Sequence, residues 1–251
     1  IWEHPEVGLI EYESSKKLME FLEKEDFEVE SPISGMETAF KASYGDKGPV
    51  IGFSVEYDAL PGLSQKRGST TKEEVTPGGA GHGCGHNLLG VGALSAAVVL
   101  KDLIEKENLE ASIKVIGAPS EERDGAKTFI GRDGHFDGID IMLTWHPESK
   151  NAIWNGGSLA NVIVTYKFKG TTSHAAAAPH LGRSALDACE LMNVGVNYMR
   201  EHVVDSARIH YAYLDVGGNA PNVVQSHATL YYFIRAAKID DALEIYERIN
   251  N

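Results

Sequence analysis

The chain has 251 residues, 43% hydrophobic and 24% charged, an ordinary globular balance that disfavours disorder and fibrous architectures. A formal net charge of −13 argues against a nucleic-acid binder and disfavours an anionic membrane surface as partner. Cys84 and Cys189 are too few for a disulfide framework, the N-terminus lacks a leader-like pattern, and no apolar run reaches the roughly 18 residues of a membrane span, so a cytoplasmic protein is expected.

In chain order, residues 13–25 place Leu18, Phe21 and Leu22 at three-to-four spacing, which predicts an amphipathic helix. Short apolar or alternating runs bounded by Gly, Pro or acidic turns predict strands at 38–43, 49–55, 111–117 and 139–145. Helical patterns at 87–106 and 124–133 fall between them, an alternation that predicts an α/β sheet layered by helices. The character changes near Asn155-Gly156-Gly157, after which strand 159–168, helix 183–202, strands 207–216 and 228–236 and a helix from Asp240 follow. That order, β-α-β-β-α, is a ferredoxin-like module short of one strand and predicts a second, smaller domain. The chain opens at Ile1 and closes on a helical pattern without a glycine cap, so both ends are expected to continue in a longer protein.

The densest chemical signal is GHGCGHN at 81–87, directly before the long apolar helix. Cys84 and His86 offer thiolate and imidazole, the glycines let the backbone turn both toward one centre, and the helix N-terminus favours the thiolate. Glu121 and Glu122 follow a strand at the edge where α/β proteins place their sites. One carboxylate there can hold a cation while its neighbour takes a proton from water. His146, in Trp145-His146-Pro147, ends another strand, and Asp58, in the run EYDALP, sits just past a third, where it can orient a metal-binding imidazole. In the second domain His174 lies in a turn of small residues, TTSHAAAAP, as a candidate oxyanion or substrate contact, and Asn222 lies in a later turn. Each residue alone has a plainer reading: a solvated glutamate pair, a structural histidine, a turn-forming aspartate or asparagine. The convergence of Cys, His and Glu on three strand ends favours metal chemistry.

As a set, EYDALPGLSQ (56–65), GHGCGHNLLG (81–90), GAKTF (125–129), TWHPE (144–148), PHLGRSALDA (179–188) and APNVVQ (220–225), with HPEVG (4–8), resemble the metal-dependent aminoacylase and carboxypeptidase-like amidohydrolases. The resemblance implies a catalytic α/β domain over residues 1–156, lacking its C-terminal part, and an inserted ferredoxin-like (βαββαβ) lid and dimerisation domain over 157–251. It further implies that Cys84, His86, Glu122 and His146 bind two divalent cations, Zn or Mn, and that Glu121 is the general base for a metal-activated water. Asp58 then supports the metal site, His174 polarises or binds the substrate, and Asn222 and Arg235 lie in lid segments that line the site. The implied reaction is hydrolysis of an N-acyl amino acid or dipeptide-like amide, aminobenzoyl-glutamate among them, by a homodimer or with a related second subunit.

Two departures stand out. Where the family has Glu-Glu-Gly-Gly, this chain runs Glu121-Glu122-Arg123-Asp124, and the family's last metal-binding histidine belongs to a C-terminal segment absent from these 251 residues. Two other readings remain open: a hydrolase with Cys84 as nucleophile, which lacks an accompanying oxyanion signature, and a non-catalytic metal-binding relative of the family.

Overall fold

The computed structural model describes residues 1–153 and 156–251, which separate into two units, Ile1–Asn151 and Ala152–Asn251. The change of character expected at Asn155 begins on a residue outside those described.

In the first unit α1 (Tyr12–Lys24) turns Leu18 and Leu22 inward at the predicted spacing. β1 (Glu28–Glu30) was not foreseen: three residues with charges at both ends carry no apolar alternation, and the strand exists through antiparallel pairing with β2 (Phe40–Tyr44) and the ion pair Lys41–Glu30 at 2.7 Å. β3 (Val50–Val55) and β4 (Ser112–Gly117) follow the predicted runs closely. Apart from Ser54, Ser112 and Lys114 both are apolar, because the sheet is covered where they lie. With β5 (Ile141–Leu143) they form the order β1-β2-β4-β3-β5, in which β4, β3 and β5 are mutually parallel and β1 and β2 antiparallel. The parallel trio therefore delivers its C-terminal ends to one edge, which is what brings residues 56–58, 120–122 and 146 together.

α2 (His86–Glu107) lays Ala93, Leu94, Ala97 and Ile104 into the core built with Phe40, Phe53, Val55 and Tyr57. Its apolar stretch, residues 88–100, ends at Lys101 and Asp102, short of a span as expected; by length and mean composition the whole helix is nonetheless apolar enough to cross a membrane, as core helices also are. Its outward side leaves Leu88, Val91, Val99 and Leu103 exposed. α3 (Ala126–Arg132) is shorter than predicted at its start, since residues 120–125 form a tight turn instead. β5 is exposed along its length, with Ile141, Met142 and Leu143 all in contact with solvent, and it pairs with β3 alone among the described residues.

The second unit runs β6 (Ala160–Lys169), α4 (Ala185–Met199), β7 (Arg208–Asp215), β8 (His227–Ala236) and α5 (Ile239–Asn250), the predicted element order. Its antiparallel sheet is ordered β6-β8-β7. β8 alternates strictly, so Leu230, Tyr232 and Ile234 face Ala185, Cys189 and Val196 of α4 and Ile245 of α5. Ser184 caps α4 by accepting the Asp187 amide at 3.0 Å, and the last predicted turn of that helix tightens to a 3-10 turn at Arg200–His202.

Candidate metal centre

His86 is the hub, fully buried at the first position of α2. Its entry turn depends on Gly85, which adopts φ +81° and lies against Pro147, where an added Cβ would approach Cγ to 2.7 Å. A side chain at 85 would thus be strained and would push away the segment that carries His146. The same helix meets the end of β3 at Gly90, whose absent Cβ leaves room for the Glu56 carbonyl at 2.7 Å. Two glycines therefore set the distance between the glycine turn and two of the three strand ends.

The His86 ring is oriented by Asp58, itself 2% exposed: Nδ1 donates to Asp58 Oδ1 at 2.8 Å, and the Asp58 carbonyl lies at 3.1 Å. Both partners are acceptors, so Nδ1 carries a proton and Nε2 is turned toward the other groups of the site. Asp58 Oδ2 accepts the Glu122 amide at 3.0 Å, tying the second strand end to the third. Burial alone would raise the Asp58 carboxyl, but the hydrogen bonds from His86 and the Glu122 amide bring it below its usual value. Burial would likewise lower His86, and the Asp58 hydrogen bond, with Asp58, Glu56 and Glu122 nearby, raises it instead.

Around His86 Nε2 converge His146 Nε2 at 3.3 Å, Glu56 Oε2 at 3.2 Å and Glu121 Oε2 at 3.8 Å. Two sets of groups have ligand atoms all within 4.8 Å of one another: Cys84, His86 and His146, and Glu56, His86, Glu121 and His146. The geometry thus brings together Cys84, His86, His146 and Glu121 of the residues singled out from sequence, with Asp58 behind His86. Glu122 stands outside both mutually close sets, beside Cys84, with its Oε1 buried and without a hydrogen-bond partner. Burial first, then the Glu122 carboxylate, push the Cys84 thiol up to about 12. Burial and then Glu56 raise the Glu121 carboxyl. The Arg123-Asp124 departure has a structural role: Asp124 accepts the Ser120 hydroxyl at 2.7 Å, and with Ser120 at φ +49° and its amide donated to Glu11 this locks the turn that presents both glutamates.

Sequence reasoning passed over Glu56, which is wholly buried at the end of β3, and Lys127 of α3, which pairs with it. The available signal was the two-residue period of an extended chain, which turns Glu56 to the same side as Asp58. His174, Asn222 and Arg235 belong to the second unit. There His174 Nδ1 accepts the amides of Ala176 and Ala177 at 3.3 and 3.1 Å, the Asn222 carbonyl accepts the Ala175 amide at 2.9 Å, and Arg235 stands over the Phe233 ring on β8.

Glu56 Oε2 and Glu122 Oε1, buried beside imidazole and thiol groups and without hydrogen-bond partners among the described residues, fit a divalent cation site, because such oxygens are costly to bury unsatisfied. Cation uptake through Cys84 must displace the thiol proton. The apparent affinity for Zn²⁺ is therefore expected to rise between pH 7 and 9 by about tenfold per unit, with protons released on binding. Calorimetry in buffers of different ionisation enthalpy reads that release, and pH-independent binding would exclude Cys84 as a ligand. Without metal the sign runs the other way: a thiol raised in the fold adds stability below its ordinary 9.0 and loses it as pH climbs above.

Residues 52–247 match the model of peptidase family M20/M25/M40, and the chain belongs to that family. It is 46% identical over 249 residues to one of the subunits of p-aminobenzoyl-glutamate hydrolase from Escherichia coli strain K12, covering 99% of this chain and 52% of that protein. It is 32% identical over 253 residues to the Xaa-Arg dipeptidase of Mus musculus, covering 96% of this chain and 54% of that one. The chain therefore spans about half the length of these curated relatives. Its fold is similar to that of a dinuclear metal-binding M20 peptidase from Bacillus subtilis, with a TM-score of 0.66 at 19% identity over 99% of this chain and 65% of the other.

Proposed function

We propose that the protein of which this chain forms part is a metal-dependent amidohydrolase or peptidase cleaving the amide bond of an N-acyl amino acid or dipeptide-like substrate, aminobenzoyl-glutamate foremost. The observation that carries the reading is the convergence of Glu56, His86, Glu121 and His146 within 4.8 Å of one another, with Cys84 joining the two histidines in a second such set. The relatives named above supply the substrate class, one by its name as part of an aminobenzoyl-glutamate hydrolase and the other as a dipeptidase.

Cys84, His86, His146 and Glu122 are the proposed holders of two divalent cations, Zn or Mn; a thiolate suits the former, and a carboxylate-rich pair accepts the latter. Bound there, the cations supply Lewis acidity and ease the deprotonation of water. Glu121 is the proposed general base. Its carboxyl, raised by burial and by Glu56, holds a proton more readily than an exposed glutamate, which suits a group that takes a proton from water and returns it to the leaving amine. In that exchange the water oxygen bonds to the carbonyl carbon, the carbon–nitrogen bond breaks, and the amine leaves protonated. Asp58 fixes the tautomer and direction of His86.

The second unit is proposed as a ferredoxin-like lid and dimerisation domain. With Nδ1 engaged by two backbone amides, neutral His174 carries its proton on Nε2, the form that donates to a substrate carbonyl or its developing oxyanion. Asn222 and Arg235 are proposed as further substrate contacts. A homodimer, or pairing with a related second chain in keeping with the multi-subunit name of the Escherichia coli relative, and a cytoplasmic setting suited to two free cysteines, complete the proposal.

The test is metal analysis and a panel of N-acyl amino acids, dipeptides and aminobenzoyl-glutamate on the full-length protein. Activity should vanish in chelator and return with Zn²⁺ or Mn²⁺. Turnover that persists in chelator would favour a Cys84 nucleophile, and bound metal without turnover a non-catalytic relative.

A further inference from the structure

Three carboxylates are buried near the strand ends, and two of them are satisfied. Glu11 accepts the Thr38 hydroxyl at 3.0 Å and the Ser120 amide at 2.8 Å. Asp58 accepts His86 and the Glu122 amide. Glu56 differs: it is fully buried, its Oε1 is paired with the Lys127 ammonium, and its Oε2 has no hydrogen-bond partner among the described residues. Oε2 stands 3.2 Å from the Nε2 atoms of both His86 and His146, which are themselves 3.3 Å apart, while Oε1 forms an ion pair with Lys127 Nζ at the start of α3. His86 spends its Nδ1 proton on Asp58 and turns Nε2 toward Glu56 Oε2. Two imidazole nitrogens and a carboxylate oxygen gathered so closely, away from water, are the donor set a divalent cation takes.

Resting on the metal-dependent reading above, we propose that Glu56 is a further ligand of the metal centre, offering Oε2 to a divalent cation shared with His86 and His146 while Lys127 holds Oε1. Lys127 is a positioning residue. By pinning one oxygen it leaves a single oxygen for the cation, and by its charge it offsets one of the carboxylates gathered here. The side chain of Lys127 is 35% exposed, so it reaches solvent on its far side and can occupy this place without a second partner.

The experiment measures Co²⁺ and Zn²⁺ affinity by competition with a chromophoric chelator, metal stoichiometry by elemental mass spectrometry, and the visible absorption of the Co²⁺ form. The full-length protein is compared with Glu56→Gln, Lys127→Gln and the double variant. Glu56→Gln should weaken affinity by on the order of tenfold to a hundredfold and alter the Co²⁺ spectrum. The double variant leaves no charge alone, so it keeps the test open where the single variant does not fold. It should remain weak if Glu56 is a ligand. Recovery of wild-type affinity in the double variant, or a Glu56→Gln affinity within about twofold of wild type, would mean that Glu56 only balances Lys127 and would overturn the proposal. Wild-type protein that takes up no cation would instead sink the hydrolase reading on which this one stands.

Discussion

Replacing Glu121 with Gln should lower kcat on a responsive amide substrate by about 10²- to 10⁴-fold, the usual contribution of a general acid–base group. Metal stoichiometry should stay at the wild-type level. The amide keeps the shape of the side chain but cannot take a proton, and the groups assigned as cation holders are untouched. Glu121 does lie in the same close set as His86 and His146, so the division of labour between the two adjacent glutamates needs this separation of readouts. Loss of cation together with turnover would make Glu121 a ligand and pass the proton role elsewhere.

The second large effect is expected at Asp58. Asp58→Ala strips both the His86 Nδ1 proton and the Glu122 amide of their acceptor in a site that is 2% exposed at Asp58 itself. Breaking a buried charged pair from one side costs about 3–5 kcal/mol. Affinity for the cation should fall a further 10- to 100-fold, because the His86 ring is no longer held in one tautomer and direction. Thermal melts with and without Zn²⁺ separate the two: the metal-free melt reports lost pairing, and the shift on adding metal reports lost affinity. Asp58→Asn, which keeps an acceptor for His86 without its charge, should retain more stability than the alanine variant. Equal metal-induced shifts in wild type and Asp58→Ala would deny Asp58 any part in the site.

Much of this arrangement can be read from the residues, and the exceptions have physical causes. β3, β4 and β8 are continuous or alternating apolar segments with clear stops, so their bounds lie within a residue or two of expectation. β1 is three residues long with a glutamate at each end, and only its partner strand makes it a strand. The glycine turn announces Cys84 and His86 through composition, whereas Glu56 is hidden in a run that reads as an acidic turn before Pro61. Its importance lies in burial and in the atoms it faces, which residue identity alone does not convey. The same limit applies to Glu121 and Glu122. Neighbours in sequence, they diverge because Ser120 takes a left-handed conformation, and that choice is made by Glu11 more than a hundred residues earlier in the chain.

The open flank of β5 has a practical outcome for the 251-residue polypeptide handled by itself. Ile141, Met142 and Leu143 present side chains to water while, among the described residues, one side of their backbone pairs with no strand, and α2 adds an oily stripe through Leu88, Val91, Val99 and Leu103. Such a border templates self-association, and no lysine or proline within Ile141–Leu143 blunts it. Recombinant material of this length is thus poised to clump as its concentration rises, its net charge of −13 being the main brake on that tendency.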